Sequence, residues 1–339
     1  GNSGFVAGGS PVTAATEEWS FPPITATTLN EGDMWFNSDS STLKGYATAA
    51  GIPSATWASG GNLNSAGYAG AGFGTQTAAL MVGGIARTSS NEKYNGTAWT
   101  EVGDLNTGRT QFSGFGTQTA GIVTGGENAP GSSNIANVES WDGSSWTEVG
   151  DLPATTRSMN AFGTQTSGVS AGGKAPGNSV VTTAVKWNGS AWTSISSLGQ
   201  GRSEAGEAGT SDSNGILAGG EQPPSSTYAN TETWNGSSWT EVADLNTARA
   251  YLGSSTNTSF SQMLAFGGAP SASSPIVANT ESWNGSSWSE VNDISTARRS
   301  SSGAGSAGAA LIFSGYTGSP SSATEEFTAS AAVVTVTTS

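Results

Sequence analysis

Cysteine and histidine are both missing from the 339 residues. Without Cys there is no disulfide, no thiolate nucleophile and no thiolate-held metal. Without His the commonest general base and the commonest metal ligand are gone. Ser-His-Asp and Cys-His catalysis cannot be assembled, nor can a His-type zinc or copper site. Carboxylate-only chemistry remains, and no cofactor or metal is expected. Charge is also scarce: 25 acidic against 11 basic side chains give a net charge of −14. A nucleic-acid binder would need a basic stripe, so no nucleic-acid partner is expected. No apolar run approaches the ~18 residues of a membrane-spanning helix, so no membrane insertion is expected. The chain opens at Gly1 rather than Met, without a leader pattern, and a segment removed upstream is the expectation.

What is abundant is Gly, Ser, Thr, Asn and Ala, and they recur in order. "WNGSSWTEVADLNTAR", Trp234 to Arg249, has close copies at Trp283 and Trp141 and looser ones at Tyr94 and Trp187. The second Trp recurs as Trp99, Trp146, Trp192, Trp239 and Trp288, at steps of 47, 46, 47 and 49. A Gly-Gly pair precedes each copy, at Gly83, Gly125, Gly172, Gly219 and Gly267, and an Arg closes each: Arg109, Arg157, Arg202, Arg249 and Arg298. Three markers in constant order at one period define a repeat.

Each unit reads as four short strands. "GILAGG" is an apolar run ending in glycines, "YANTETW" follows a loop, Asn-Gly marks a two-residue hairpin turn with positive φ, and "SSWTEVADL" returns with one buried face. "FGTQT" at Phe73, Phe115 and Phe162 marks the turn between the first two strands. No stretch keeps a helical period. Four strands per ~45–50 residues is the unit of a β-propeller, in which stacking buries the faces that one blade leaves open. The Trp residues are expected to pack between blades, and the Gly pairs to let strands crowd near the axis.

The order Gly219-Gly220, variable loop, Glu232-Thr233-Trp234, turn, Trp239, Arg249 resembles the Kelch repeat, over roughly residues 58 to 327. The markers of WD repeats are absent. The expected fold is therefore all-β: one Kelch-like β-propeller domain over residues 1–339. Residues 4–19 supply strands of a first blade, "ATWASGGNLNSAG" from Ala55 completes it, and "AAVVTVTTS" ends the last. That count gives seven blades; a ring of six with a detached N-terminal hairpin is the alternative. Residues 20–54 interrupt the first blade. There "EGDMWFNSDSSTLKGY", with Trp35, Phe36, Leu43 and Tyr46, reads as an inserted β-hairpin and resembles a short module of tailed-phage virion proteins, tail fibres above all.

One Glu per unit sits two residues before the third-strand aromatic: Glu17, Glu92, Glu139, Glu232, Glu281 and Glu325, with Val185 breaking the series. Paired carboxylates can hydrolyse glycosides, but one per blade at an equivalent place reads as a structural ring paired with Arg109, Arg157, Arg202, Arg249 and Arg298. On that reading Glu232 and Glu281 pair with an Arg of their own or the neighbouring blade, and Val185 leaves Arg202 with another partner. The sialidase Asp-box is not matched by "SWDGSSW" at Ser140, and galactose oxidase chemistry would need His and Cys. Asp104, Asp151, Asp244 and Asp293 read as turn caps, and the Asn-Gly-Ser/Thr sequons as turns.

The loops after Gly-Gly diverge while the framework is kept, and loops on a rigid core carry binding. The candidate binding residues are Glu127, Asn128, Lys174, Asn178, Glu221, Gln222 and Tyr228, with Tyr228 stacking on a sugar ring and prolines stiffening the loops. The resemblance to phage fibres implies an extracellular, non-enzymatic virion appendage. Its implied partners are a host cell-surface glycan or protein, other virion proteins, and further copies of itself as a homo-oligomer. A secreted bacterial adhesin or lectin-like module is the second reading, and a carboxylate-dependent polysaccharide depolymerase the third.

Overall fold

A computed structural model describes residues 55–129, 133–222, 226–271 and 275–329, with strands at 3–7, 16–20, 34–37, 42–47 and 332–336. The chain divides into two compact units, one of residues 1–52 with 330–339 and one of residues 53–329. In the first, Ser3–Ala7 pairs antiparallel with Thr16–Ser20. Met34–Asn37 pairs with Thr42–Ala47, whose other edge takes Ala332–Val336.

The second unit is six four-stranded antiparallel sheets. Blade I is Ala71–Thr75, Ala78–Gly84, Thr88–Tyr94 and Trp99–Val102. Blade II is Ser113–Thr117, Ala120–Thr124, Val138–Trp141 and Trp146–Val149. Blade III is Asn160–Thr164, Ser167–Ala171, Ala184–Trp187 and Trp192–Ile195. Blade IV is Gly206–Ser211, Asn214–Ala218, Thr231–Trp234 and Trp239–Val242. Blade V is Gly253–Ser254, Met263–Phe266, Thr280–Trp283 and Trp288–Val291. Blade VI takes Ser302–Ser306, Ala309–Phe313 and Thr324–Thr328 from the end of the chain and Thr56–Ser59 from its beginning. First strands of neighbouring blades pack on one another, so the first strand is innermost and the fourth outermost.

Six blades, not seven, therefore close the ring. Phe327 pairs with Trp57 as Trp234 pairs with Trp239, so the two partial repeats are the halves of one blade. Thr56–Ser59 takes the place expected for "AAVVTVTTS", and the strand from that segment pairs with Thr42–Ala47 instead. An outer strand from the opposite end of the chain leaves no free blade edge at the joint.

Packing explains the repeated letters. Phe73, Phe115 and Phe162 on first strands lie over Gly121, Gly168 and Gly215 of the next blade, where a Cβ would come within 2.4, 2.4 and 2.1 Å of the ring. The third-strand aromatics Tyr94, Trp141, Trp187, Trp234 and Trp283 are fully buried. Each tryptophan of that set donates its indole N–H to a backbone carbonyl in the first turn of its own blade, at 2.8–2.9 Å. Their fourth-strand partners reach backward to the preceding blade: Trp99 to Thr324 Oγ1, Trp192 to the Gly150 carbonyl, Trp239 to the Ser196 carbonyl and Trp288 to Thr231 Oγ1. The Gln of "FGTQT" adds a second latch. Gln76 donates to the Phe327 carbonyl (2.6 Å) and Gln165 to the Trp141 carbonyl (2.6 Å), each one blade back.

Two turn expectations need revision. Tyr94 pairs directly with Trp99, so the Asn-Gly hairpin has four residues between its strands. Only Gly96 has positive φ there, while Asn95 Oδ1 accepts from the N–H groups of Thr97 and Ala98. A carboxylate serves equally, which is why Asp142 stands at the same place in blade II. The Gly-Gly pairs are not at the axis but at the end of the second strand. Gly172, Gly219 and Gly267 have φ of 65–68°, and a Cβ would lie 2.3–2.5 Å from the carbonyl of an Arg in the adjacent loop.

Candidate functional site

Those Arg residues enter a socket in each following blade. Arg109 Nη2 donates to Glu139 (2.6 Å), and its Nη1 to the carbonyls of Gly125 (3.1 Å) and Asn137 (2.6 Å). The other carboxylate oxygen accepts from the Asn106 backbone N–H at 2.8 Å. Arg202 with Glu232 (2.6 Å) and Arg249 with Glu281 (2.9 Å) repeat the arrangement in blades IV and V, and Arg298 with Glu325 in blade VI. Burial pushes the pKa of each of these arginines down, and the paired glutamate opposes it. In blade I, Gly67 stands at the Arg position and Arg87 fills the socket from another loop, 2.8 Å from Glu92. A Cβ on residue 67 would lie 2.5 Å from Arg87 Cδ, so the glycine makes room for the substitute. Apart from Arg87, each socket Arg comes from the loop that precedes the blade of its Glu, so Val185 affects the preceding loop and not Arg202. There Thr156 occupies the Arg position. Arg157 is one residue on, outside the buried ring, and pairs with Glu127 at 2.9 Å. Glu17 lies in the strand Thr16–Ser20, and its side chain is outside what the structure describes.

The loop-bearing end carries two concentric rings. The inner one is Ala69, Gln111, Ser158, Glu204, Tyr251 and Ser300, the residue entering the innermost strand of each blade. All six have φ of 49–60° although none is glycine. Each backbone N–H donates to the carbonyl of the ring residue one blade back, at 2.6–3.2 Å, and Ala69 N–H to Ser300 closes the circle. The six bonds together hold six strained backbones. The outer ring is a set of bridged pairs: Tyr68 with Ile85, Thr110 with Glu127, Arg157 with Lys174, Ser203 with Glu221, Ala250 with Ala269, and Arg299 with Tyr316.

The candidate binding residues lie along this outer ring with unequal freedom. Glu127 and Asn178 both hold Arg157, and Lys174 pairs with Glu221 of the next blade at 2.7 Å. Glu221 also accepts from the Tyr251 hydroxyl at 2.7 Å. Burial, then the bond to Glu221, holds that phenol protonated well above its ordinary range. Asn128 Oδ1 accepts from the Ser133 N–H within its own turn. Gln222 is exposed. Tyr228 is half-buried: the Arg202 guanidinium lies 5.9 Å from its ring centre, and its hydroxyl is buried. A further aromatic surface lies on the same ring. Arg299 sits between the rings of Tyr251 (5.5 Å) and Tyr316 (5.4 Å), and Tyr68 packs on Tyr316 at 5.2 Å. The position next to each Gly-Gly pair, which Tyr316 and Glu221 share, was the signal for this ring.

Below the rings the axial channel is lined by Gly72, Gly114, Gly303 and Ser254, and Glu207 projects among these small residues. Its carboxylate accepts from Ser113 Oγ at 3.1 Å. Desolvation pushes its pKa up to about 8, and Glu204 above it is also raised by desolvation. No periodic signal marks Glu207, because the other blades have Gly, Ala or Ser at that position.

No protein-family model matches the chain. No curated protein matches it in sequence. Among solved structures that of YjhT is similar, with a TM-score of 0.67 and 14% identity over 82% of this chain and 96% of that one. The fold is a β-propeller. At that identity the likeness speaks for architecture alone.

Proposed function

We propose that the protein is a non-enzymatic, Kelch-like virion appendage of tail-fibre type that binds a host-surface glycan through the loop-bearing end of the propeller. One observation carries the reading. Five of six blades keep the guanidinium–carboxylate socket. The segments between second and third strands, all at one end, share almost no residues with one another. A fixed frame with divergent loops is the layout of a recognition surface. The half-exposed cluster of Tyr68, Tyr251, Arg299 and Tyr316 adds ring faces and hydrogen-bond donors suited to sugars. An adhesin would use the same surface.

The axial carboxylates favour a hydrolase on chemistry, since Glu207 keeps its proton near neutrality as a general acid must. Space argues against it: the channel cavities beside Glu207 measure only about 60 and 40 Å³. Those volumes suit one or two water molecules rather than a sugar ring.

The test is adsorption of fluorescently labelled full-length protein to a panel of bacterial cells. Exchanging the loops after Gly126, Gly173 and Gly220 for that after Gly268 should abolish adsorption while thermal melts stay intact. Adsorption unchanged by every exchange would remove the loop-bearing end from consideration. Release of reducing ends from host polysaccharide, lost in Glu207→Gln, would replace the binding reading with a hydrolytic one.

A further inference from the structure

Blade III departs from the socket pattern at every polar position together. Val185 stands in place of the buried Glu, and Thr156 in place of the Arg. Pro153, which has no N–H, takes the position from which Asn64, Asn106, Gly199, Asn246 and Ser295 donate to the carboxylate. On the outer strand Ser194 and Ser197 replace the acids found as Glu148 and Asp151 in blade II. Five coordinated changes leave no charge in the socket. They also leave a cavity of about 350 Å³, partly open to solvent and lined by Leu152, Pro153, Val185 and Ile195 with Ser194 and Ser197.

The inner wall keeps the acceptors that a guanidinium meets in the sister blades. Arg202 Nη1 donates to the carbonyls of Gly219 (3.0 Å) and Asn230 (2.6 Å), and Arg249 Nη1 to those of Gly267 (3.0 Å) and Asn279 (2.6 Å). The equivalent groups in blade III are the carbonyls of Gly172 and Thr183, both residues of the cavity wall. An occupant must therefore bring a planar N–H donor. It must also be neutral, because an ion placed here has no counter-charge and its desolvation goes unrepaid. A carboxamide meets both demands, and a methyl on it would bury against Leu152, Val185 and Ile195. No aromatic ring lines the cavity, so a sugar would be chosen by its substituent while its hydroxyls face Ser194 and Ser197 at the rim. The volume is at the small end of ligand pockets, ~300–1,000 Å³.

We propose that the blade III socket binds the acetamido group of an N-acetylated amino sugar. The proposal rests on the glycan-binding reading above and adds the sugar class and the blade.

The experiment is saturation-transfer NMR on the full chain with N-acetylglucosamine, glucose, glucosamine, butyramide and ethylguanidinium. Transfer should be strongest at the acetyl methyl, with glucose and glucosamine weaker by about tenfold or more. Val185→Phe, which fills the cavity, should abolish it. Ser197→Trp, which covers the rim, serves the same purpose should the first variant not fold. Val185→Glu should shift preference toward ethylguanidinium. Equal transfer to glucose and N-acetylglucosamine would overturn the proposal, as would acetyl transfer that survives both blocking variants. Butyramide binding without the sugar would overturn the sugar assignment in favour of an amide side chain. Acetamido binding lost in Val185→Phe with cell adsorption intact would separate this socket from the adsorption surface. Adsorption lost by loop exchange with acetamido binding intact would leave the socket standing.

Discussion

Glu281→Ala tests the claim that the buried sockets hold the ring together. Arg249 and Glu281 are both fully buried, and Glu281 accepts from Arg249 at 2.9 Å and from the backbone and side chain of Asn246 at 2.7 and 2.8 Å. Removing the carboxylate leaves a guanidinium whose remaining partners are backbone carbonyls, and it takes away the acceptor of the Asn246 backbone N–H. Losing one member of a fully buried pair costs about 3–5 kcal/mol. For the propeller unit of residues 53–329, at ~2.1 cal/mol/K of unfolding entropy per residue, that is a fall in Tm of roughly 5–9 °C. Differential scanning calorimetry with parallel urea melts would measure it. The double variant Arg249→Leu/Glu281→Val should be milder than either single change, because an apolar filling of a buried ion-pair site is often neutral. Blade III already lives without the pair. A single-variant loss below about 0.5 kcal/mol would mean the pair is solvated. A double variant equal to the sum of the singles would mean that the two residues act independently. Either result would refute the argument.

Two further outcomes follow from the geometry of the axis and of the blade contacts. Glu207 keeps its proton up to about 8 in the folded chain, against about 4.3 when unfolded. Through that window the folded state binds the extra proton, so stability falls as pH rises. Urea melts at pH 5, 6.5 and 8 should show the decline, and Glu207→Gln should flatten it, leaving the share due to Glu204; parallel slopes would contradict the assignment. Gly215→Ala puts a methyl 2.1 Å from the Phe162 ring and should cost about 1–3 kcal/mol, partly restored by Phe162→Leu. A silent Gly215→Ala would show that the two blades have slack between them.

Much of the propeller was legible because its signals are periodic. A Trp, a Gly pair, a Glu and an Arg at one spacing fix four strands and their order, and no single-residue argument is needed. The blade number was harder. Trp57 and Phe327 each carry half of the same signature, and a linear count gives each half its own blade. Only pairing across the ends of the chain, Phe327 to Trp57, shows that they share one. The socket pairing had the same difficulty: Glu139 is 30 residues beyond Arg109, and nothing in the spacing says that the two belong to successive blades. The turn chemistry was misjudged for a local reason. Asn-Gly suits a two-residue turn, but here the Asn side chain caps the backbone and only the Gly is left-handed.

The candidate site was less legible because it is made of departures from the period. A repeat detector reads Val185 as one broken mark in a series of glutamates, and Arg157 as an intact mark in a series of arginines. Aligned on the inner-ring residue Ser158 instead, Arg157 moves out of register, Thr156 moves in, and Pro153 falls on the donor position. The changes are linked by physics. Once the carboxylate is gone, a guanidinium in the socket would be an unpaired buried charge, and an N–H directed at it would lose its acceptor. Each loss makes the next one neutral or favourable, so the whole set can change together without unfolding the blade. That reasoning also says where to look for function in a near-identical array: not at the repeated framework marks, whose work is to hold neighbouring blades, but at the blade that has lost its charged socket marks while keeping its Trp and Gly-Gly marks.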